Sequence, residues 1–310
     1  MQKEAMFRKH SPQDVPVQSR LNKERSAVLP YVLISPLILF IGALALYPTV
    51  RTFVESFFGV DPLNPQGFVG LQNYVSVFNN PAVIYSWVNT FLYMAFGTGL
   101  STLVAVLVAL GLRVNFRGRA VVLAILILPW ALPAITEGII WAWIYDPSFG
   151  VLNSILHSLH LISHYQLWIS GNRILTVFLI ELVQVWQMTP LSIILILAGL
   201  QSIPDELYEA ARVDGAGLLR TTFTISLPLV RPSIAVAVVQ SLVASLNVFD
   251  QVYVLNANAT TGSSIMLQTY NITFQNLNFG QGYALSFIAV LITMAIALGL
   301  LKITYRRVEF

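Results

Sequence analysis

The chain has 310 residues, of which 56% are hydrophobic and only 10% are charged, and its mean hydropathy is +0.72. Ordinary soluble domains carry roughly 25% charged residues, so the composition excludes a typical soluble protein. The apolar runs are continuous rather than alternating, which excludes a transmembrane β-barrel. The chain has no cysteine, which excludes disulfides, thiol catalysis and thiolate metal sites.

The predicted fold class is an all-α membrane protein, a bundle of six transmembrane helices. A helical span needs about 20 apolar residues to cross a bilayer, and six continuous runs have roughly that length. Pro129 and Pro133 are expected to kink the third span, and Pro190 lies inside the fourth. The predicted spans are about Val28–Val50, Asn89–Leu112, Ala120–Ile144, Ile174–Leu200, Pro232–Leu255 and Tyr283–Ile303.

Residues 1–27 are polar and basic and are predicted to be a cytoplasmic tail, followed by a transmembrane domain at 28–310. The apolar run after the tail is longer than the apolar core of a signal peptide and lacks a clear cleavage site. It is therefore predicted to be a retained first span.

The Lys and Arg residues are distributed unevenly among the connecting segments. If the N-terminus is inside, 15 of the 17 lie on the inner side, and only Arg51 and Arg173 lie outside. Inner loops of membrane proteins carry such an excess. Both termini and the loop around Glu209 are therefore predicted to be cytoplasmic.

The outer connections are long, polar and almost uncharged. Residues 51–88, 145–173 and 256–282 are suited to docking a neutral ligand or an external partner, or they are plain connectors. His157, His160 and His164 would share one face of a helix, as metal ligands could. No carboxylate lies in that stretch, so a solvated loop helix without metal is predicted.

Three acidic residues, Glu137, Glu181 and Asp250, lie within or near spans. Ionisable groups in a membrane usually face protein or a water-filled cavity. They are either proton-relay groups of an ion-coupled secondary transporter, or polar anchors between helices or cavity-lining groups. No membrane-embedded Lys or Arg accompanies them, which weakens the proton-relay interpretation.

Several amide side chains form a further candidate set. Such groups bind sugar hydroxyls in a translocation cavity, or they form hydrogen bonds between helices. Both interpretations stay open at this point. Together with one acid, the candidates for the substrate path are Gln184, Gln187, Asn247, Asp250 and Gln251.

Signatures of common enzymes are absent from the sequence. There is no GxxxxGK[ST] phosphate loop, GxGxxG, HExxH or GxSxG. An integral membrane enzyme would also need an acid–base or metal constellation, and none is evident. The chain is therefore predicted to be non-catalytic, and active transport would draw its energy from a gradient or from a partner.

A charged segment at about 204–228, here the 204–228 loop, separates the fourth and fifth spans. Pro204 with two acids after it predicts a helix start, because acids are favourable at a helix N-terminus. Gly215 permits a sharp turn, a second short helix follows, and Pro228 and Pro232 are expected to delay entry into the fifth span. One face of the first helix is predicted to comprise Leu207, Ala210, Ala211 and Asp214.

The spacing in this loop resembles the EAA motif of permeases from binding-protein-dependent ABC transporters, particularly the maltose and glycerol-phosphate type. Phe68–Tyr74 and Asn247–Leu255 also resemble segments of those permeases. Asn256–Gly262 departs from the Gly-Gly-Gly-Pro-like turn that members often carry. The matching residues are Glu209, Ala210, Ala211, Gly215, Ile225, Leu227 and Pro228.

The resemblance implies the permease fold of a type I ABC importer and a carbohydrate as its substrate. It implies three partners: a second homologous permease, a cytoplasmic ATPase dimer that binds ATP and Mg, and an extracytoplasmic sugar-binding protein or lipoprotein. No cofactor in this chain and no nucleic acid are expected, and the membrane would be a bacterial or archaeal plasma membrane. The residues implied in coupling to the ATPase are Glu209, Ala210, Ala211, Asp214, Gly215 and Pro228.

Overall fold

The computed structural model describes residues 30–62, 66–169, 171–256 and 260–304. The predicted tail at 1–27 lies outside the described residues, as do Arg306 and Arg307. The chain divides into two units, one ending at Val54 and the other beginning at Glu55.

The described residues contain five helices that are long and apolar enough to cross a membrane, and a pair of shorter helices forms a sixth candidate span. This confirms the predicted all-α, multi-span fold. The spans are Pro30–Glu55, Pro81–Leu112, Arg119–Ala131 with Ala134–Ile144, Arg173–Gln201, Leu218–Leu246 and Phe279–Thr304.

Two spans continue through prolines at which the sequence predicts a boundary. The first span passes Pro48 after a π-helical turn at Gly42–Leu46 and ends at Glu55. The fifth span begins at Leu218, and a π-helical turn at Thr222–Ser226 precedes Pro228. Local π turns are one of the adjustments that accommodate proline in a membrane helix. The prediction that Pro228 and Pro232 delay entry into the fifth span is therefore wrong.

Two other predicted boundaries move by about two turns of helix. The second span starts at Pro81, where the Asn80 side chain accepts a hydrogen bond from the Ala82 N–H at 3.0 Å. The fifth span ends at Leu246, and the rest of the predicted run forms a separate helix, Asp250–Asn256. The third span is broken more sharply than a kink, because its halves meet at 99°.

The two halves of the third span lie at opposite ends of the bundle. Arg119 lines a cavity together with Leu200, near the end of the fourth span. The Tyr145 hydroxyl donates to the carbonyl of Leu179, near the start of the fourth span, at 3.2 Å. The pair therefore traverses the bundle as one broken span and is not a re-entrant loop.

The second, fourth and fifth spans pack together at the centre of the unit that begins at Glu55. A Cβ at Gly97 would overlap the Glu181 carboxylate and the Ser245 hydroxyl. Small residues allow membrane helices to approach closely, and Gly97 serves this purpose here. Ala105, Ala109 and Ala237 continue the close packing along the same helices.

The connections predicted to be outer contain short elements of their own. Strands Phe58–Gly59 and Gln66–Phe68 pair antiparallel. The helices are Gln72–Phe78, Val151–Ser158, the 3₁₀ turn Thr260–Gly262, and Ile265–Tyr270 with the π turn Asn271–Gln275. His157 lies in helix Val151–Ser158, whereas His160 has φ +57° beyond its end. The predicted common face of the three histidines is therefore wrong.

Residues 260–265 fold back into the bundle. The Asn89 side-chain amide donates to the Ser263 carbonyl at 2.9 Å, and the Tyr93 hydroxyl donates to the Gly262 carbonyl at 2.7 Å. The Ile265 N–H donates to the Thr90 hydroxyl at 2.9 Å. This part of the connection, expected to be an outer docking surface or connector, is buried packing against the second span.

Candidate coupling loop and translocation path

The first helix of the 204–228 loop, Asp205–Val213, is held against the bundle by one face. Tyr208 and Ala211 are buried. The Tyr208 hydroxyl lies 3.1 Å from that of Ser226, and the Arg113 guanidinium stacks over the Tyr208 ring at 3.2 Å from its centroid. A cation over an aromatic face is attracted by the ring quadrupole, so this contact ties the helix to the second span.

The predicted common face of this helix lies mostly away from the bundle. Ala211 is buried, but Leu207 is 43% exposed and Ala210 and Asp214 are exposed. The aromatic ring of Tyr208 fills the space against the spans, and this turns Leu207 and Ala210 away from the bundle.

The opposite face of the loop, which points away from the bundle, exposes apolar side chains. Glu209 and Ala210 are exposed there. The most exposed apolar residues are Val213 at 87% and Leu218 at 84%. Exposed apolar surface with a polar border marks an interaction site. Leu219 and Phe223 extend the exposed apolar surface along the start of the fifth span.

Gly215 forms the turn between the two loop helices. Its φ is +72°, a left-handed conformation that residues with a Cβ resist. The Gly215 N–H donates to the Arg212 carbonyl at 3.1 Å, and the Ala216 N–H donates to the Ala211 carbonyl at 2.9 Å. These two bonds form a Schellman motif. The predicted sharp turn at Gly215 is therefore confirmed.

A polar cluster lies at the break in the third span. The Gln187 side-chain amide donates to the Leu132 carbonyl at 3.3 Å, at the break itself. The Gln251 amide donates to the Gln187 side-chain oxygen at 3.2 Å. Gln187 lies midway along the helix Arg173–Gln201, so the cluster is near the middle of the bundle's depth.

Glu137 belongs to the same cluster. It lies in the first turn after the break, fully buried, beside the side-chain amides of Gln187 and Gln251. Neither carboxylate oxygen makes a hydrogen bond of good geometry among the described residues, although both amides lie close enough to act as donors to it. A buried polar group without a well-formed partner is rare in native structures, so this carboxylate is an acceptor that a ligand at the break can use.

Glu181 has a different environment. The Ser245 hydroxyl donates to its carboxylate at 2.6 Å, joining the fourth span to the fifth. Gln184 lines a small cavity with Glu181 and Ser245, and the hydroxyls of Thr189 and Ser101 lie 3.2 Å apart next to it. Of the two interpretations of the buried acids, this geometry agrees with a polar anchor between helices.

The structure brings together only part of the predicted path set. Gln187 and Gln251 are hydrogen-bonded, whereas Gln184 lies with Glu181. Asn247 is exposed, and its amide donates to the Val243 carbonyl of its own helix at 2.7 Å. Asp250 is half-buried at the start of its helix.

The sequence prediction missed how this cluster is assembled. The break frees the Leu132 carbonyl from the helix to accept a bond from Gln187, and Glu137, predicted only as one of three acids in or near spans, joins the two glutamines there. Trp141 and Trp186 pack edge to face next to it, with ring centroids 5.8 Å apart. The sequence signal that could have indicated this site is the spacing of Pro129, Pro133 and Glu137, each four residues after the last.

Comparison with protein families gives a match over residues 97–309 to the family described as the inner membrane component of binding-protein-dependent transport systems. That match covers more than half of the chain. The chain belongs to this family. It is therefore a multi-pass permease of a binding-protein-dependent ABC transport system, as the EAA spacing predicts.

Similar permeases are known from archaea and bacteria. The trehalose/maltose transport system permease protein MalF of Thermococcus litoralis is 34% identical over 91% of this chain and 95% of the relative. The sulfoquinovosyl glycerol transport system permease protein SmoG of Agrobacterium fabrum is 30% identical over 89% and 90%. The sn-glycerol-3-phosphate transport system permease protein UgpA of Yersinia pestis is 30% identical over 91% and 94%.

The fold of the permease also matches solved structures. A bacterial ABC transporter involved in the import of the acidic polysaccharide alginate aligns with a TM-score of 0.81 at 23% identity, covering 94% of this chain and 100% of that chain. The alginate transporter in complex with an alginate pentasaccharide-bound periplasmic protein aligns with a TM-score of 0.79 at 22% identity, covering 93% and 98%. These likenesses establish the fold.

Proposed function

We propose that this permease forms one half of the translocation path of an ATP-driven carbohydrate importer. A second, homologous permease forms the other half. An extracytoplasmic binding protein delivers the sugar, and a cytoplasmic ATPase dimer binds ATP and Mg. The observation that carries the proposal is the exposed face of the 204–228 loop, which points away from the bundle, in a permease whose sequence has no phosphate loop.

The 204–228 loop is proposed to be the surface on which the ATPase docks. Its anchored face fixes it to the second and fifth spans through Tyr208, so a force applied to the loop is passed to those helices. Its free face offers Glu209 for polar contact and the small Ala210 for close approach. Asp214 and Gly215 shape the turn, and Pro228 lies inside the fifth span, just after its π-helical turn.

Co-purification tests this docking. Ala210→Trp adds bulk to the exposed face of the loop helix, and we expect it to abolish recovery of the ATPase with the permease after co-expression. Val151→Trp is the matched control, because Val151 is 56% exposed on the helix Val151–Ser158, away from the loop. Equal recovery of the ATPase with both variants would overturn the docking proposal.

The orientation of the loop and of both termini in the membrane is part of the proposal. The chain has no cysteine, so a single cysteine placed at Asp214 reports its side directly. We expect protection from a membrane-impermeant thiol reagent in intact cells and labelling after permeabilisation. Labelling in intact cells would show that the loop faces outward.

The break in the third span is proposed to be where the sugar passes. Binding sites at the middle of membrane transporters are typically built from discontinuous helices. The Glu137 carboxylate and the amides of Gln187 and Gln251 suit sugar hydroxyls. Gln184 and Asp250 stay further path candidates. Asn247 is exposed and bonds within its own helix, so we do not place it in the path.

The substrate class rests on the relatives, which are named for transport of trehalose/maltose, sulfoquinovosyl glycerol and glycerol phosphate. The predicted spans carry no Lys or Arg except Lys302, at the very end of the sixth, which favours a neutral sugar over a phosphorylated one. A thermal-shift screen of the cognate binding protein against sugars and glycerol phosphates tests this. Stabilisation by phosphorylated ligands alone would contradict it.

A further inference from the structure

A cavity of about 760 Å³ lies behind the 204–228 loop, between the loop helix and the connection from the second span to the third. Arg113 and Arg119 line it from that connection, and Arg212 lines it from the loop helix. Leu200 and Leu218 supply part of its apolar wall. Leu218 lies at the border between the cavity and the exposed face of the loop, whereas Glu209, Ala210 and Val213 do not line the cavity.

The charges around the cavity do not balance. Asp205 is the one carboxylate that lines it among the described residues. Asp205 lies 3.8 Å from Arg113 and its side chain is 90% exposed, so this pair is weak. Arg119 and Arg212 face no carboxylate within salt-bridge distance among the described residues.

Arg119 keeps hydrogen-bonding capacity for a ligand. One terminal nitrogen donates to the Asn115 side chain at 2.7 Å. Its Nε has no partner among the described residues but is shielded by the protein, so the other terminal nitrogen is the donor left for a ligand. Arg212 donates through Nε to the Tyr208 carbonyl at 3.4 Å, so this bond does not occupy its terminal nitrogens. Guanidinium groups bind phosphate oxygens through paired N–H donors.

The depth of the cavity points to the source of such a phosphate. Leu200 and Gln201 line it, and the fourth span ends at Gln201. Arg113 follows directly after the second span, which ends at Leu112. Spans of 29 and 32 residues are long enough to cross the headgroup layers as well as the hydrocarbon core, so their ends lie at headgroup level, where basic pockets bind anionic headgroups. Apolar walls beside the arginines suit a lipid rather than a freely soluble phosphate.

We propose that this cavity binds the headgroup phosphate of an anionic phospholipid, held by Arg119 and Arg212 with Arg113 at its edge. A lipid bound there bridges the connection between the second and third spans to the helix of the 204–228 loop. The proposal is independent of the identity of the transported sugar and of the ATPase.

Native mass spectrometry of the full-length permease tests the site. The protein is released from nanodiscs of phosphatidylcholine containing a minor fraction of phosphatidylglycerol, and the retained phosphatidylglycerol is counted. We expect Arg119→Gln and Arg212→Gln each to weaken retention about fivefold, the effect of one basic residue near a membrane surface. Arg119→Lys keeps the charge and retains most of the binding.

Arg117→Gln is the matched control. Arg117 lies on the same connection and is exposed, but it does not line the cavity, so we expect unchanged retention. An equal loss with Arg117→Gln, or no loss with Arg119→Gln and Arg212→Gln, would overturn the proposal. Inorganic phosphate is tested separately in nanodiscs of phosphatidylcholine alone. If phosphate binds there in an Arg119-dependent way, and no phosphatidylglycerol is retained from the mixed nanodiscs, the lipid assignment is overturned.

Discussion

In the 204–228 loop the polar and small residues are neighbours in the chain and are exposed, whereas at the break in the third span they come from three separate helices and are buried. Glu209, Ala210 and Gly215 lie on one short segment. Glu137, Gln187 and Gln251 meet only because the third span is broken beside the middle of the fourth. A docking surface can be built locally, but a path through a bundle needs several helices.

The largest effect on folding is expected where the second, fourth and fifth spans touch, because these helices support both regions. Gly97→Val would drive a side chain into the Glu181 carboxylate and the Ser245 hydroxyl. Overpacking of this kind costs about 3 kcal/mol at its upper end, so we expect little folded protein in detergent. Gly99→Val is the control on the same helix, because no atom lies within 4 Å of a Cβ built there. Fluorescence-detected size exclusion compares the two, and equal profiles would contradict the packing argument.

The next effect concerns the turn in the loop. Gly215→Ala and Gly217→Ala both add a Cβ into open space. Only Gly215 has a positive φ, and a left-handed conformation costs a residue with a Cβ about 1–2 kcal/mol. We expect Gly215→Ala to lower binding-protein-stimulated ATP hydrolysis by roughly tenfold, since 1.4 kcal/mol corresponds to a factor of ten. Gly217→Ala, at φ −70°, is expected to be near wild type, and equal losses would show that the turn conformation is not what matters.

A smaller effect is expected at the break. Gln251→Ala removes one hydrogen bond to Gln187, worth about 1 kcal/mol. We therefore expect sugar uptake to fall by about fivefold while the ATPase still co-purifies. Asn247→Ala is the control, because the Asn247 amide bonds only to the Val243 carbonyl of its own helix. Uptake that falls as much with Asn247→Ala would remove the argument for the cluster.

The smallest effect is expected at the Arg113–Asp205 pair. Asp205→Asn removes a weak contact at an exposed carboxylate, so neither stability nor uptake should change measurably. Tyr208→Leu, by contrast, removes the ring under Arg113 and the hydroxyl beside Ser226. A larger loss of thermal stability with Asp205→Asn than with Tyr208→Leu would reverse the assignment of the anchor.

The loop could be predicted from sequence because its geometry is local. A left-handed glycine after a short helix needs no knowledge of the rest of the chain, and the EAA spacing gave the family. The buried face was missed because Tyr208 packs against Arg113, which is distant in sequence. The prediction from Pro228 and Pro232 was also wrong, because a π turn before Pro228 allows the fifth span to continue through both prolines.

The break could be predicted only in part. Pro129 and Pro133 gave its position, but not the 99° bend or the Leu132 carbonyl that it exposes to Gln187. Gln251 joined the cluster because the predicted fifth span is really two helices. From the sequence, Asn247 and Asp250 are path candidates as good as Gln251. Only the end of the fifth span at Leu246 and the new helix from Asp250 show that Gln251 alone of the three bonds to Gln187.

The most direct test of the account compares one loop variant with one path variant in the complete transporter in proteoliposomes. ATP hydrolysis stimulated by the loaded binding protein and sugar uptake are measured together for Gly215→Ala and Gln251→Ala. The account predicts that Gly215→Ala lowers hydrolysis and uptake in parallel, whereas Gln251→Ala lowers uptake and leaves stimulated hydrolysis near wild type. Parallel loss of both activities in Gln251→Ala, or full hydrolysis in Gly215→Ala, would contradict the division between coupling loop and translocation path.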